Sequence, residues 1–269
     1  MSIKQTMTSV ALVCAFGVGT GVAWDQAMRI GSADANAGGI AATAQKQEAT
    51  AASGATQAYD APVELDINFV FHIDDNLPEQ DVFIEREPGS GKVYRATKGD
   101  QNLKAPLYAA AKPLKHAPFD AAAVGPWPKG RGLGLTLGEW FEAEGKGKYR
   151  CTDGQGHIAV EFNGLVPNGV YTMWHYFMAW PPTEPFIGTY DLPLGSRDGA
   201  QSVFTADAKG KARFERSFKP CLQLTGEHLA AGLAVAWHSD GKTYGVEPGA
   251  FATNSHIQLY TGLPKRSGI

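Results

Sequence analysis

The chain has few cysteines, few charges and no familiar catalytic signature. Three of its 269 residues are cysteine. Charged residues make up 19% and sum to a net charge of -3, with no basic stripe, which excludes a nucleic-acid binder. The apolar N-terminal stretch Thr8 to Ala23 is 16 residues long and broken by three glycines. A comfortable membrane span needs roughly 20 residues. Gly-x-Ser-x-Gly, His-Glu-x-x-His and P-loop patterns are all missing, so the chemistries they announce have no foothold. Strand and helix patterns do not alternate, which argues against a parallel α/β sheet.

The residues present suit an exported all-β protein. Lys4, the stretch to Ala23 and the small residues Gly21-Val22-Ala23 read as a signal peptide over 1–23. Cleavage would leave no membrane span and a periplasmic or secreted chain. Residues 24–59, rich in Ala, Gln and Thr, have too little bulky apolar surface to order and read as a flexible tether. Residues 60–266 read as one β-sandwich domain: N-terminal strands over 60–102, an irregular connection over 103–131 and the main sandwich over 132–266. With Cys14 removed, Cys151 and Cys221 remain, and an oxidising compartment favours their pairing. Closing a 70-residue loop would stabilise by about 4 kcal/mol on chain entropy alone.

The expected fold is an antiparallel β-sandwich with one short helix and long proline-rich connections. "PVELDINFVFHID" alternates strictly: Val63, Leu65, Ile67, Phe69, Phe71 and Ile73 share one face, and Glu64, Asp66, Asn68, His72 and Asp74 the other. A hairpin is expected around Pro88 to Gly91. Thr136 and Glu139 form a capping box for a short helix that turns Trp140 and Phe141 inward. From there to the end, strands recur about every ten residues between Gly and Pro turns.

The stretch Ile158 to Phe177, "IAVEFNGLVPNGVYTMWHYF", resembles the early hairpin of the Cu,Zn superoxide dismutase-like β-sandwich. Gly164-Leu165, the turn Pro167-Asn168-Gly169 and the aromatic strand after it carry the likeness. It implies the fold only. The family's His-x-His ligand positions hold Trp174 and Tyr176, with His175 between them, so dismutase activity does not carry over. Gly134 to Pro264 is also similar to secreted bacterial domains to which no function is attached.

Two functional readings follow. In the first the protein is a binding module for a small molecule, glycan or protein partner. The proline-rich loop Met178 to Gly195 offers Trp180, Phe186 and Tyr190, and the turn after the next apolar strand offers Trp237 and Tyr244. In the second it is a metalloprotein, binding copper or zinc through His175, His238 and His256, with Met173 as a weak fourth ligand. Each histidine also has a structural alternative: His175 bonded to a backbone carbonyl in the core, His238 at a strand end, His256 on a solvated face. His72 is expected on a solvated edge. No catalytic base declares itself, and Ser239 between His238 and Asp240 cannot chain hydrogen bonds as a triad does.

Overall fold

The computed structural model describes residues 62–183 and 186–265. The expected signal peptide (1–23) and tether (24–59) lie outside the described residues. The fold is all-β and antiparallel, a sandwich with one short helix. Strand β1 (Val63–Phe69) alternates as predicted, with Ile67 and Phe69 buried and Glu64, Asp66 and Asn68 exposed. It pairs with β6 (Glu144–Thr152), followed by β7 (Gln155–Asn163) and β11 (Ala212–Phe218), to form a four-stranded sheet. The second sheet runs β10 (Val203–Thr205), β8 (Val170–Ala179), β12 (Leu229–His238), β13 (Ser255–Gly262), and β9 (Tyr190–Pro193) pairs along the second half of β8.

Between the sheets, Ile67, Phe162 and Phe214 of the first meet Met173, Leu233 and Leu259 of the second in one continuous core. Each such side chain contributes roughly 1.5–3 kcal/mol by leaving water. Cys151 and Cys221 form the expected disulfide, Cα atoms 5.7 Å apart, tying β6 to the segment after β11. Thr136 caps the one-turn helix α1 (Leu137–Trp140): its hydroxyl accepts from the Glu139 N–H, and the Glu139 carboxylate accepts from the Thr136 N–H. Leu137 and Trp140 of this turn are buried in the core.

Residues 103–131 are more regular than their prolines suggest. β4 (Pro106–Ala110) and β5 (Trp127–Thr136) lie in this stretch and close with β2 (Phe83–Ile84) and β3 (Lys92–Arg95) into a small barrel. Pro113, Pro118 and Pro126 fall between strands, Pro106 opens β4, where a proline is tolerated, and Pro128 is the second residue of β5. β2 and β3 form the hairpin expected around Pro88 to Gly91.

Three local features set the geometry around β13. Val70, just past β1, exchanges backbone hydrogen bonds of 2.8 and 2.9 Å with Tyr260 of β13, joining the edges of the two sheets. The chain then makes a 3-10 turn at His72–Asp75, so the predicted alternation stops at Phe69 and His72 is buried, not solvated. Second, the buried Arg95 guanidinium donates to Glu79 and Asp81 (2.9 Å each) and to the Lys115 carbonyl (3.1 Å). Asp81 also accepts from the Ile257 N–H at 3.0 Å, which ties this N-terminal region to β13. Third, β13 carries a bulge: Val235 faces Leu259 and Ala236 faces Ile257, leaving Gln258 as the extra residue. Its amide accepts from the Tyr171 hydroxyl (2.9 Å) and donates to the Trp140 carbonyl (3.1 Å).

Candidate functional site: a cavity on the outer face of the second sheet

The side of the β8–β12–β13 sheet that faces away from the sandwich core is only partly covered. A cavity of about 500 Å³ lies over it. Its floor follows from alternation. Trp174, Tyr176 and Met178 project from β8, and Ile257 and Tyr260 from β13, while β12 presents only alanines, Ala230, Ala231 and Ala234. A β12 of small residues leaves room over itself. Gly232 makes the point sharply, since a Cβ there would run into the Tyr176 ring, which lies across the strand.

The roof is built from parts distant in sequence. The 3-10 turn supplies His72, Asp75 and Leu77, the connection before β5 supplies His116 and Phe119, and Phe251 closes one side. The His72 ring stands 5.2 Å from His116 and 4.9 Å from Tyr260, centroid to centroid. Trp180, Thr189 and Asp191, from the Met178 to Gly195 loop and β9, complete the wall.

The polar groups are few: two carboxylates (Asp75 and Asp191), one cation (Lys265), and tyrosine, threonine and histidine side chains. The Tyr260 hydroxyl donates to Asp75. Thr189 donates to Asp191 at 3.1 Å, and Asp191 lies directly across the β8–β9 ladder from Tyr176. Burial raises the Asp191 carboxyl to about 6. Burial also raises the Tyr176 hydroxyl, and the carboxylates of Asp75 and Asp191 push the same way. His72 is lowered to about 3 by burial and by the charge of Arg95, so it is neutral. Its ring hydrogen-bonds the Glu79 backbone, an interaction that favours protonation and so marks the ring as donor, and its Nδ1 has no partner. The Nδ1 of His116 is likewise buried and unpartnered.

The histidines expected to share a metal are kept apart. His175 lies opposite Leu233 on β12, five residues from His238. Five residues of strand span about 16 Å and place side chains on opposite faces. His175 points to the core side, its Nε2 3.1 Å from the Gln223 carbonyl oxygen. His238 points outward, its Nε2 2.7 Å from the Thr172 hydroxyl, which also accepts from the Trp174 indole. His256 is buried rather than solvated, between the Asp81 carbonyl and the Ser239 hydroxyl, each at 3.0 Å. Met173 is sealed in the core. Burial lowers all three histidines to about 4. Among the described residues no group of three His, Cys, Asp or Glu side chains could hold a metal ion.

Of the aromatics expected to bind a ligand, Trp180 lines the cavity. Phe186 is buried behind it, its ring 5.3 Å from Phe119. Tyr190 is exposed on β9. Trp237 lies in the core against Trp140, so it offers no binding surface. Tyr244 packs 5.9 Å from His238 and donates its hydroxyl to Asp240. Sequence reasoning missed Trp174, Tyr176, Asp191, His116 and Tyr260. The signal that could have found the first two is the run of Ala and Gly on β12 beside an aromatic strand.

No helix among the described residues is long and apolar enough to cross a membrane. Trp174 and Tyr176 both line the cavity. No protein-family model, curated protein or solved structure matches the chain.

Proposed function

We propose that this protein is an exported binding protein for a small organic ligand, which it holds in the cavity over the second sheet. The observation that carries this reading is the cavity itself. Its volume of about 500 Å³ lies within the range of roughly 300–1,000 Å³ typical of ligand sites, and an apolar lining with a few convergent polar groups is the usual composition of one. Isolated stability gives no reason to keep such a space open, because an unfilled apolar void forfeits dispersion contacts. The Cys151–Cys221 disulfide supports a periplasmic or secreted location. A mature N-terminus close to Ala23, read by mass spectrometry of the cell envelope or culture medium, tests that part.

Titration with the neutral dye Nile red tests binding. One molecule should bind per chain with enhanced emission, and Ala234→Trp, which places an indole on the cavity floor, should abolish it. The unfolding midpoint of the variant, measured alongside, separates a filled cavity from an unfolded chain. Dye binding unchanged in a folded Ala234→Trp protein would sink the reading.

A further inference from the structure

Lys265 is the one cation of the cavity lining and forms no ion pair with either of the cavity's carboxylates, Asp75 and Asp191, among the described residues. The Tyr260 hydroxyl proton is committed to Asp75, and Thr189 has committed its own to Asp191. Left over are the remaining carboxylate lone pairs of both aspartates and the Tyr176 hydroxyl. Neither Asp75 nor Asp191 has a cationic partner within ion-pair distance among the described residues. Asp191 lies directly across the β8–β9 ladder from Tyr176, and Asp75 is held by the hydroxyl of Tyr260, the ring next to Tyr176, so the two carboxylates border the same tyrosine pair. The Tyr176 and Tyr260 rings are 6.4 Å apart, and Trp174 lines the cavity with them.

A ligand completing this site must bring donors, and two unpaired carboxylates beside aromatic faces favour positive charge. An alkylammonium carries three donors and no acceptor. It is also attracted to the faces of Trp and Tyr rings. An anionic head would meet Asp75 and Asp191 directly. A glycan would bring many hydroxyls to a lining that is mostly hydrocarbon and leave them unpaired.

We propose that the cavity binds a small organic amine in its protonated form, its aromatic or alicyclic body over Trp174 and Ala234 and its ammonium between Asp191 and Asp75. This rests on the reading of the cavity as a ligand site. The raised carboxyl of Asp191 agrees with it: the group is desolvated with no cation to offset the loss.

Calorimetric titration of the full chain with 2-phenylethylamine, 2-phenylethanol and 3-phenylpropionate tests the assignment. The three share a ring and differ in the head. The amine should bind at least about tenfold more tightly than the alcohol, and the carboxylate more weakly than either. Asp191→Asn should bring the amine to within about twofold of the alcohol, with the unfolding midpoint measured alongside to report a folded variant. Asp75→Asn should show the same trend more weakly, because Asp75 is exposed at the rim. Equal binding of all three probes, or tighter binding of the alcohol or carboxylate, overturns the ammonium assignment and leaves the ligand site standing. An amine preference that survives both Asp substitutions overturns it as well. Nile red binding with no heat from any phenyl probe overturns the amine proposal alone. Silence from Nile red and all three probes overturns both readings.

Discussion

The two faces of the β8–β12–β13 sheet are built from the same strands and do opposite things. Residues 171, 173 and 177 of β8 and residues 233 and 235 of β12 point to the sandwich interior and belong to its main core. Residues 174, 176 and 178 of β8 and residues 230 and 234 of β12 point outward and border the cavity. On the inner face large residues meet large residues. On the outer face large aromatics from β8 stand beside alanines and a glycine from β12, so the space is not filled. A period of two lets one ten-residue strand serve both purposes, and the side-chain sizes decide which face becomes core.

That contrast can be broken most strongly from the inside. Leu233→Ala should cost about 3 kcal/mol in urea unfolding, the range for a fully buried leucine whose neighbours cannot collapse. If the inner face tolerates it at under about 1 kcal/mol, it is less tightly packed than described. Comparable in size is Gly232→Ala, whose methyl would meet the Tyr176 ring and the Thr261 backbone carbonyl of β13; a loss of about 3 kcal/mol is expected, with altered tyrosine absorbance as a second readout. The outer face should barely register Ala234→Leu, at under about 1 kcal/mol, because the added carbons enter empty space.

Protonation probes the same boundary. His238 is neutral in the fold, held at about 4 against an ordinary 6.5, chiefly by burial. The unfolded chain therefore takes up a proton that the folded chain refuses. Stability assisted by this neutral imidazole is complete above pH 6.5 and is lost as pH falls from there toward 4. His238→Gln should remove about 3 kcal/mol of that loss, so the two unfolding curves converge on acidification. Parallel curves from pH 7 to 4 would show that His238 titrates normally. The single-site difference matters because Asp81, raised to about 6 by burial, shifts stability the opposite way over an overlapping range.

The local grammar of the fold was legible. Alternation found β1 to within its last residues, the Thr136–Glu139 box found α1, and the two remaining cysteines found each other. Each of these depends on neighbours in sequence or on a count. The site was legible only in fragments. Trp180 was marked by its loop, and β12 by its run of small residues, but what stands over β12 comes from a turn that begins only where Val70 pairs with Tyr260. That pairing joins residues 190 positions apart, and no local pattern announces it. His72 shows the cost: its place in the alternation assigned it to solvent, and a 3-10 turn carried it over the sheet. His175, His238 and His256 failed to meet for a related reason. Shared strandedness suggests nearness, yet an odd spacing along β12 sends two of them to different sides.

The bulge at Gln258 acts as a change of phase in β13. Toward the chain terminus Leu259 and Tyr260 keep step with Val235 and Ala234; before the bulge Ile257 and His256 keep step with Ala236 and Trp237. Deleting Gln258 would restore a regular ladder with the same pairs, Val235 with Leu259 and Ala236 with Ile257, and so leave each neighbour on its own face. What would be lost are the bonds of the Gln258 amide, accepted from the Tyr171 hydroxyl and donated to the Trp140 carbonyl. This one supernumerary residue is therefore a rivet: its side chain fastens β8 and the one-turn helix to β13 from inside the sandwich, while the strand to either side keeps the faces it would have had without it.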